Sequence, residues 1–170
     1  MRNILITIGL TIVVLFIGTL IALSDRSQDF QSDAPPAMAD SNQSQIISFT
    51  ELARGSHSKV TMRVNYFITS PTQLKELWQM VDASSTPPAI DFKTHAVLAV
   101  FAGQKTTAGH AITISKIEDT GARMVSITLA NPDSACTPKK MAISPYEIVA
   151  VPTTSLSLAH EDISTTVSCP

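Results

Sequence analysis

Aromatic residues are scarce: one Trp, two Tyr and six Phe in 170 positions. Ring faces in such numbers do not build a sugar- or base-stacking cleft. Trp78, the best candidate for such a platform, falls on the apolar stripe of a helix and reads as core. Cysteine is rarer still, at two, Cys136 and Cys169. Neither has His or Asp at ligand spacing, which argues against a zinc site. The four histidines, His57, His95, His110 and His160, are spaced apart from one another and from ligand-spaced partners, so no metal and no cofactor is expected. An excess of one charge is missing too. From Ile46 onward ten Lys/Arg balance ten Asp/Glu. A domain without basic excess gains little from counterion release, so nucleic acid is a poor partner, and no basic cluster awaits anionic lipid.

Signatures of catalysis are equally thin. No Gly-x-Ser-x-Gly elbow occurs. The stretch Gly103–Gly109 carries Lys105 but lacks the Gly-Lys-Ser/Thr end of a phosphate loop. His160-Glu161-Asp162 reads as a solvated loop patch, and His95 as a boundary residue of a buried strand. Nothing activates a nucleophile or a water, so no catalytic residue is assigned and an enzyme is not expected.

What the chain does have is one long hydrophobic run. Ile4 to Leu23 is twenty residues without a charge, about 30 Å as a helix, the thickness of a bilayer hydrocarbon core. Arg2 precedes it, while Asp25 offsets Arg26 after it. This bias keeps the N-terminus in the cytoplasm and sends the rest outside. Ala22-Leu23-Ser24 also offers small residues where a signal peptidase cuts. A retained inner-membrane anchor is favoured by the length of the run, with a cleaved signal peptide the alternative. Both place the domain in the periplasm. Residues 25–45, with four Asp and Pro35-Pro36, bury too little to offset ordering entropy and read as a flexible linker. The expected organisation is 1–24 signal-anchor or signal peptide, 25–45 linker, and 46–170 folded domain. In an oxidising compartment Cys136 and Cys169 are expected to form a disulfide, with free thiols or pairing to a partner as alternatives.

Periodicity within the domain points to strands. Lys59–Thr69 alternates through Val60, Met62, Val64, Tyr66 and Ile68. Ser70-Pro71 opens a helix whose Leu74, Leu77, Trp78 and Val81 form one stripe. His95–Ala102 is apolar throughout and predicts a central strand buried on both faces. Strands are also predicted at His110–Ile117, Met124–Leu129 and Met141–Val151, the last at an edge or bulged because of Pro145. The tail from Pro152 is mostly polar. The fold class is therefore α+β, mainly β: an antiparallel sheet or small sandwich with one covering helix, preceded by the N-terminal transmembrane or signal helix.

Three stretches, LKELWQMVDASSTPPAIDF, AVLAVFAGQKTTAGHAITISKI and AISPYEIVAVP, resemble the PrcB C-terminal domain, found in exported bacterial protease-complex subunits. Leu77-Trp78, Pro87-Pro88 with Asp91-Phe92, Gly103, Thr107, Gly109 and Ser144-Pro145-Tyr146 occupy the places of that family's pattern, over roughly 55–152. Thr106, Ala108 and His110 depart from its Pro, Gly and Tyr. The resemblance implies a non-catalytic accessory protein that supports the assembly or stability of an exported protease, with no catalytic residue to carry over. Gly103, Thr107, Gly109 and His110, bracketing a hairpin-like connection, together with Ser144, Pro145 and Tyr146, are the expected contact surface for that protein partner. The same segments can equally serve to shape the sheet. An exported protease inhibitor, displaying a loop around Ala135–Lys140, is the alternative function; a small hydrolase is a further one, requiring His110 or His160 to meet a carboxylate and a Ser.

Overall fold

Within the segment His95–Ala102 every residue after His95 is buried, on both faces, and the domain is arranged in layers about it. The structure is a computed structural model that describes residues 44–81 and 86–168. The apolar segment 4–23, nearly all of the 25–45 linker and Cys169 lie outside the described residues, as do the expectations attached to them. The described residues fall within one unit, Asp40–Pro170.

Its elements are β1 (Gln45–Ile46), β2 (Thr50–Gly55), β3 (Arg63–Ile68), α1 (Pro71–Met80), β4 (His95–Ala102), β5 (Lys105–Thr107), β6 (Ala111–Asp119), β7 (Arg123–Pro132), β8 (Lys140–Ile143), β9 (Tyr146–Pro152) and β10 (Leu158–Val167). One sheet has the order β2-β9-β4-β3, all antiparallel. A second has the order β1-β6-β7-β10, antiparallel except that β10 runs parallel to β7. Strands β5 and β8 form a separate ribbon. Among the described residues the result is a mainly β sandwich with one helix, one of the two arrangements the sequence suggested, with one sheet mixed rather than antiparallel.

The layering follows from side-chain alternation along β4. Ala96, Leu98, Val100 and Ala102, with Val149 and Val151 of β9, pack against Ile112, Ile114 and Ile117 of β6 and Val125 and Ile127 of β7. The intervening Val97, Ala99 and Phe101, with Ile148, pack against Leu74, Leu77 and Trp78 of α1. The helix starts where its capping chemistry dictates. Ser70 Oγ accepts the Gln73 N–H at 3.3 Å, Gln73 Oε1 accepts the Thr69 N–H at 3.0 Å, and Pro71 opens the first turn. It ends at Val81, which returns to extended backbone and bridges to Ser58.

Four expectations are corrected. The strand predicted over Lys59–Thr69 begins only at Arg63, and Met62 is 76% exposed. Met141–Val151 is not one strand at an edge: it divides at Ser144-Pro145, and β9 lies inside its sheet between β2 and β4. Pro145 sits in the break, where its missing N–H costs no ladder bond and its carbonyl accepts the Ala102 N–H at 2.9 Å. Gly103–Gly109 is not a hairpin, because β4 and β6 belong to different sheets and the connection between them carries β5. The polar tail, including His160-Glu161-Asp162, is strand rather than loop, ten residues in unbroken register on β7.

The β6–β7 hairpin is closed by an ion pair. Buried Arg123 forks onto Asp119 through Nε and Nη2, both at 2.8 Å, and its Nη1 donates to the Pro152 carbonyl at the end of β9. The hydrogen bonds from Arg123 hold the Asp119 carboxyl below its ordinary value, against burial, which works to raise it; the guanidinium charge adds to the lowering. A carboxyl whose folded pKa is depressed contributes stability above its unfolded pKa and loses it as pH falls through the folded one. Asp119→Asn is therefore expected to lower stability at neutral pH and to flatten the acid limb. Denaturant midpoints taken downward from about pH 5 check this, since the parent should lose more stability there than the variant.

Candidate functional site

The connection from β4 to β6 is shaped first by two glycines. Gly103 has φ 74°, and a Cβ there would stand 2.9 Å from Arg63 N, Met62 C and Thr61 O. Backbone on that side leaves no room to yield, and Gln104 N–H bonds the Thr61 carbonyl at 2.9 Å just beyond. Gly109, at φ 91°, lies 3.0 Å from the Pro132 ring by the same measure. By contrast Gly121, in the β6–β7 turn at φ 82°, faces open space. Gly121→Ala should cost about 1 kcal/mol for the left-handed backbone alone. Gly103→Ala should cost at least about 2 kcal/mol more, because strain and clash add there. Chemical denaturation of the two variants side by side checks the difference; equal losses would mean that the chain at Thr61–Arg63 moves aside freely.

Between these glycines β5 pairs with β8, Thr107 opposite Lys140, and the Ala108 N–H bonds the Lys139 carbonyl at 3.0 Å. His110 then reaches both ways. Its Nδ1 is 3.0 Å from Asn131 Oδ1 and its Nε2 is 3.2 Å from Thr107 Oγ1. Asn131 Nδ2 faces the Leu129 carbonyl at 3.4 Å, so Oδ1 is the atom turned to the ring. An amide oxygen only accepts; with the ring neutral, Nδ1 donates to Asn131 and the Thr107 hydroxyl donates to Nε2. The partners of this histidine are thus a hydroxyl and an amide, an arrangement that orients the ring.

Beside the connection lies an open cavity of about 360 Å³. Ala108, Gly109, Pro132, Pro138 and Val167 give it mostly apolar walls, and Cys136 and Ser168 border it. The loop on its far side is braced by Asp133, whose Oδ1 accepts the Ala135 N–H at 2.8 Å and whose carbonyl accepts the Cys136 N–H at 2.9 Å. Asp133 N–H in turn bonds the Val167 carbonyl at 2.9 Å, fixing the loop to the end of β10. No cysteine among the described residues is free.

Gly109 lines this cavity, and Thr107 and His110, bonded to each other, flank its Ala108–Gly109 wall in the chain. Ser144, Pro145 and Tyr146 lie beneath the surface instead. Ser144 N–H bonds the Ser56 carbonyl at 2.8 Å, and the Tyr146 ring lies between Gly55, whose added Cβ would meet Cε1 at 2.8 Å, and the Phe101 ring at 6.0 Å. Among the described residues, no group of three or more His, Cys, Asp or Glu is placed to hold a metal. Residues 96–152 match the PrcB C-terminal family. The PrcB C-terminal match runs from the second residue of β4 to the end of β9, so it takes in the doubly buried strand, the Gly103–His110 connection and the Ser144–Tyr146 break. It begins well after α1 and the Leu77-Trp78 pair. No curated protein and no solved structure matches the chain.

One polar group of the matched segment was not anticipated. Glu147 is 1% exposed and, by alternation on β9, shares the inter-sheet face of Val149 and Val151. Its Oε2 accepts the Ile114 N–H where the β6–β7 register slips, and its Oε1 accepts Arg54 of β2. Burial works to lower the Arg54 pKa, but the Glu147 and Glu51 carboxylates outweigh it and hold it above the ordinary value. The signal in the sequence was a carboxylate inside the apolar run YEIVAV.

Proposed function

We propose that this chain is a non-catalytic, membrane-tethered envelope protein whose exported domain binds and stabilises an exported protease. The observation that carries this reading is the match of residues 96–152 to PrcB C-terminal, a family that suggests a protease-complex subunit. Residues 4–23 supply the inner-membrane tether and the domain stands in the periplasm. Thr107, Gly109 and His110 form the polar rim of the contact, and the cavity walled by Ala108, Pro132, Pro138 and Val167 receives an apolar segment of the protease. Gly103, Ser144, Pro145 and Tyr146 support that surface from below. A Cys136–Cys169 disulfide locks its far wall; Ser168, adjacent to Cys169 in the chain, already borders the cavity together with Cys136. Closing that loop contributes about 3–4 kcal/mol in the chain-entropy model.

Affinity purification of the full chain from membranes, followed by mass spectrometry, tests the reading. The parent should retain an exported protease, and Thr107→Ala combined with His110→Ala should reduce its recovery at least tenfold while the melting temperature stays near that of the parent. Undiminished recovery, or no protease at all, would refute the assignment. The loop Ala135–Lys140, exposed over much of its length and braced at Asp133, favours the inhibitor as second reading. Assay of the captured protease decides between them, since a stabilising subunit preserves its activity and an inhibitor abolishes it.

A further inference from the structure

The two four-stranded sheets expose four edges, those of β1, β10, β2 and β3. Strand edges invite pairing with other chains, and folds blunt them with shortness, bulges, Lys or Pro. Strand β1 has two residues, β2 bulges between Glu51 and Ala53, and β3 has six residues and begins with Arg63. Strand β10 is neither short nor bulged, and its charged residues, Glu161 and Asp162, are both bound within the domain. It is ten residues long, LAHEDISTTV, without Lys or Pro, and its pairing on β7 is unbroken. All of it except Ala159 is exposed, and Ile163 and Val167 are among the large apolar side chains left in solvent.

The strand is also held ready. Arg63 forks onto Asp162 at 2.9 and 2.6 Å, and Ser126 Oγ donates to Glu161 Oε1 at 2.7 Å. Both acidic side chains are thereby partnered within the domain, which lessens the repulsion an approaching acidic strand would meet. Alternation fixes the faces: His160 and Asp162 lie opposite Val125 and Ile127, which point into the inter-sheet core. Ala159, Ile163 and Val167 therefore share the outward face, at every fourth position.

We infer that β10 pairs antiparallel with β10 of a second copy of this chain, about a two-fold axis at Ile163. A two-fold perpendicular to a sheet matches like faces, so it must centre on a residue rather than between two. Centring on Glu161 or on Asp162 sets that carboxylate against itself. Centring on Ser164 sets Val167 against Glu161. Centring on Ile163 places Ile163 on Ile163, Ala159 on Val167, Glu161 on Thr165, Asp162 on Ser164 and His160 on Thr166. Ile163, Ala159 and Val167 then meet apolar partners and no like charges face each other, while Leu158 at the strand's start falls opposite Ser168, just beyond its end. That self-complementarity selects a second copy over a strand from another protein. The pairing is isologous and closes, consuming both β10 edges and giving one continuous eight-stranded sheet.

The test uses the full chain in detergent. Cβ atoms directly opposite in an antiparallel pair lie about 4.5–5.5 Å apart, near enough for a disulfide after small adjustment. Ile163→Cys should therefore give a reducible covalent dimer on mild oxidation. Glu161→Cys and Thr165→Cys, each offset from its own copy by about 13 Å along the strands, should give none. Ile163→Lys should lower the dimer fraction at least tenfold in sedimentation while leaving the thermal transition of the monomer in place. A parent chain that sediments as a monomer, equal cross-linking at all three positions, or a β10 edge occupied by the captured protease instead would each overturn the inference. None of these readouts involves Thr107–His110, so they stand apart from the test of protease binding.

Discussion

Phe101→Ala is expected to lower the unfolding free energy by about 3–5 kcal/mol, the range for emptying a large buried aromatic site. Phe101 has no solvent exposure. The Tyr66 ring meets it edge-on at 5.7 Å and 84°, and the Tyr146 ring stacks on it at 6.0 Å and 26°. Such contacts add about 0.5–1.5 kcal/mol beyond the area buried. The site is poorly able to collapse, because the backbone on both sides is paired: Phe101 is opposite Val64 in β3 and opposite Tyr146 in β9. Phe101→Leu should cost clearly less, since it refills much of the volume. Denaturant unfolding followed by the fluorescence of Trp78, which belongs to the same core, measures both. A loss below about 1.5 kcal/mol for the alanine variant would mean that α1 settles into the vacated space. Since domains are stable by only about 5–15 kcal/mol in all, the expected loss removes a large share of that margin.

The second large effect falls on the other side of the β9 strand. Glu147→Ala removes the acceptor of the Ile114 N–H and leaves that donor buried without it, in addition to opening a void. An orphaned buried donor costs about 1–3 kcal/mol, and with the void the expected loss is about 2–4 kcal/mol. Glu147→Gln keeps the shape and one acceptor, and should recover more than half of that loss. Arg54→Ala strips the buried Glu147 carboxylate of its cation and should cost about 1–3 kcal/mol, yet less than Glu147→Ala, because water can enter the space that the half-exposed arginine leaves. Denaturant midpoints for the three variants establish the order. If Arg54→Ala proved as damaging as Glu147→Ala, the ion pair rather than the bond to β6 would be what joins the sheets here.

What could be read in advance was whatever repeats along the chain. The α1 stripe was legible because Ser70, Pro71 and the Leu74–Leu77–Trp78 spacing agree with one another, and β4 was legible because burial on both faces requires an unbroken apolar run. Strand β10 was hidden for the opposite reason: an edge strand exposed along nearly its whole length has no buried face, so its side chains carry no alternation. Strand β2, short and bulged, was hidden likewise. The division at Pro145 depends on where β8 finds β5 and β9 finds β2 and β4, which are long-range choices. At the candidate site Thr107 and Gly109 stood out by filling places in the family pattern and His110 by departing from one, yet Asn131 did not. It meets His110 only because β6 and β7 pair with Ala111 opposite Ala130, setting the preceding and following residues face to face. Tyr146 stood open between surface contact and packing because the resemblance marks a position without revealing which way its side chain turns, and burial decides for packing.

The opening and closing strands of the domain, β1 and β10, are the two outer members of one sheet. A protease nibbling from either terminus therefore peels the same layer, while β2-β9-β4-β3 and its helix keep all their internal pairings. In a chain proposed to work beside a protease, trimming would strip an outer strand from the layer that carries Val125 and Ile127 before it entered β2 or β9 of the layer that carries Phe101.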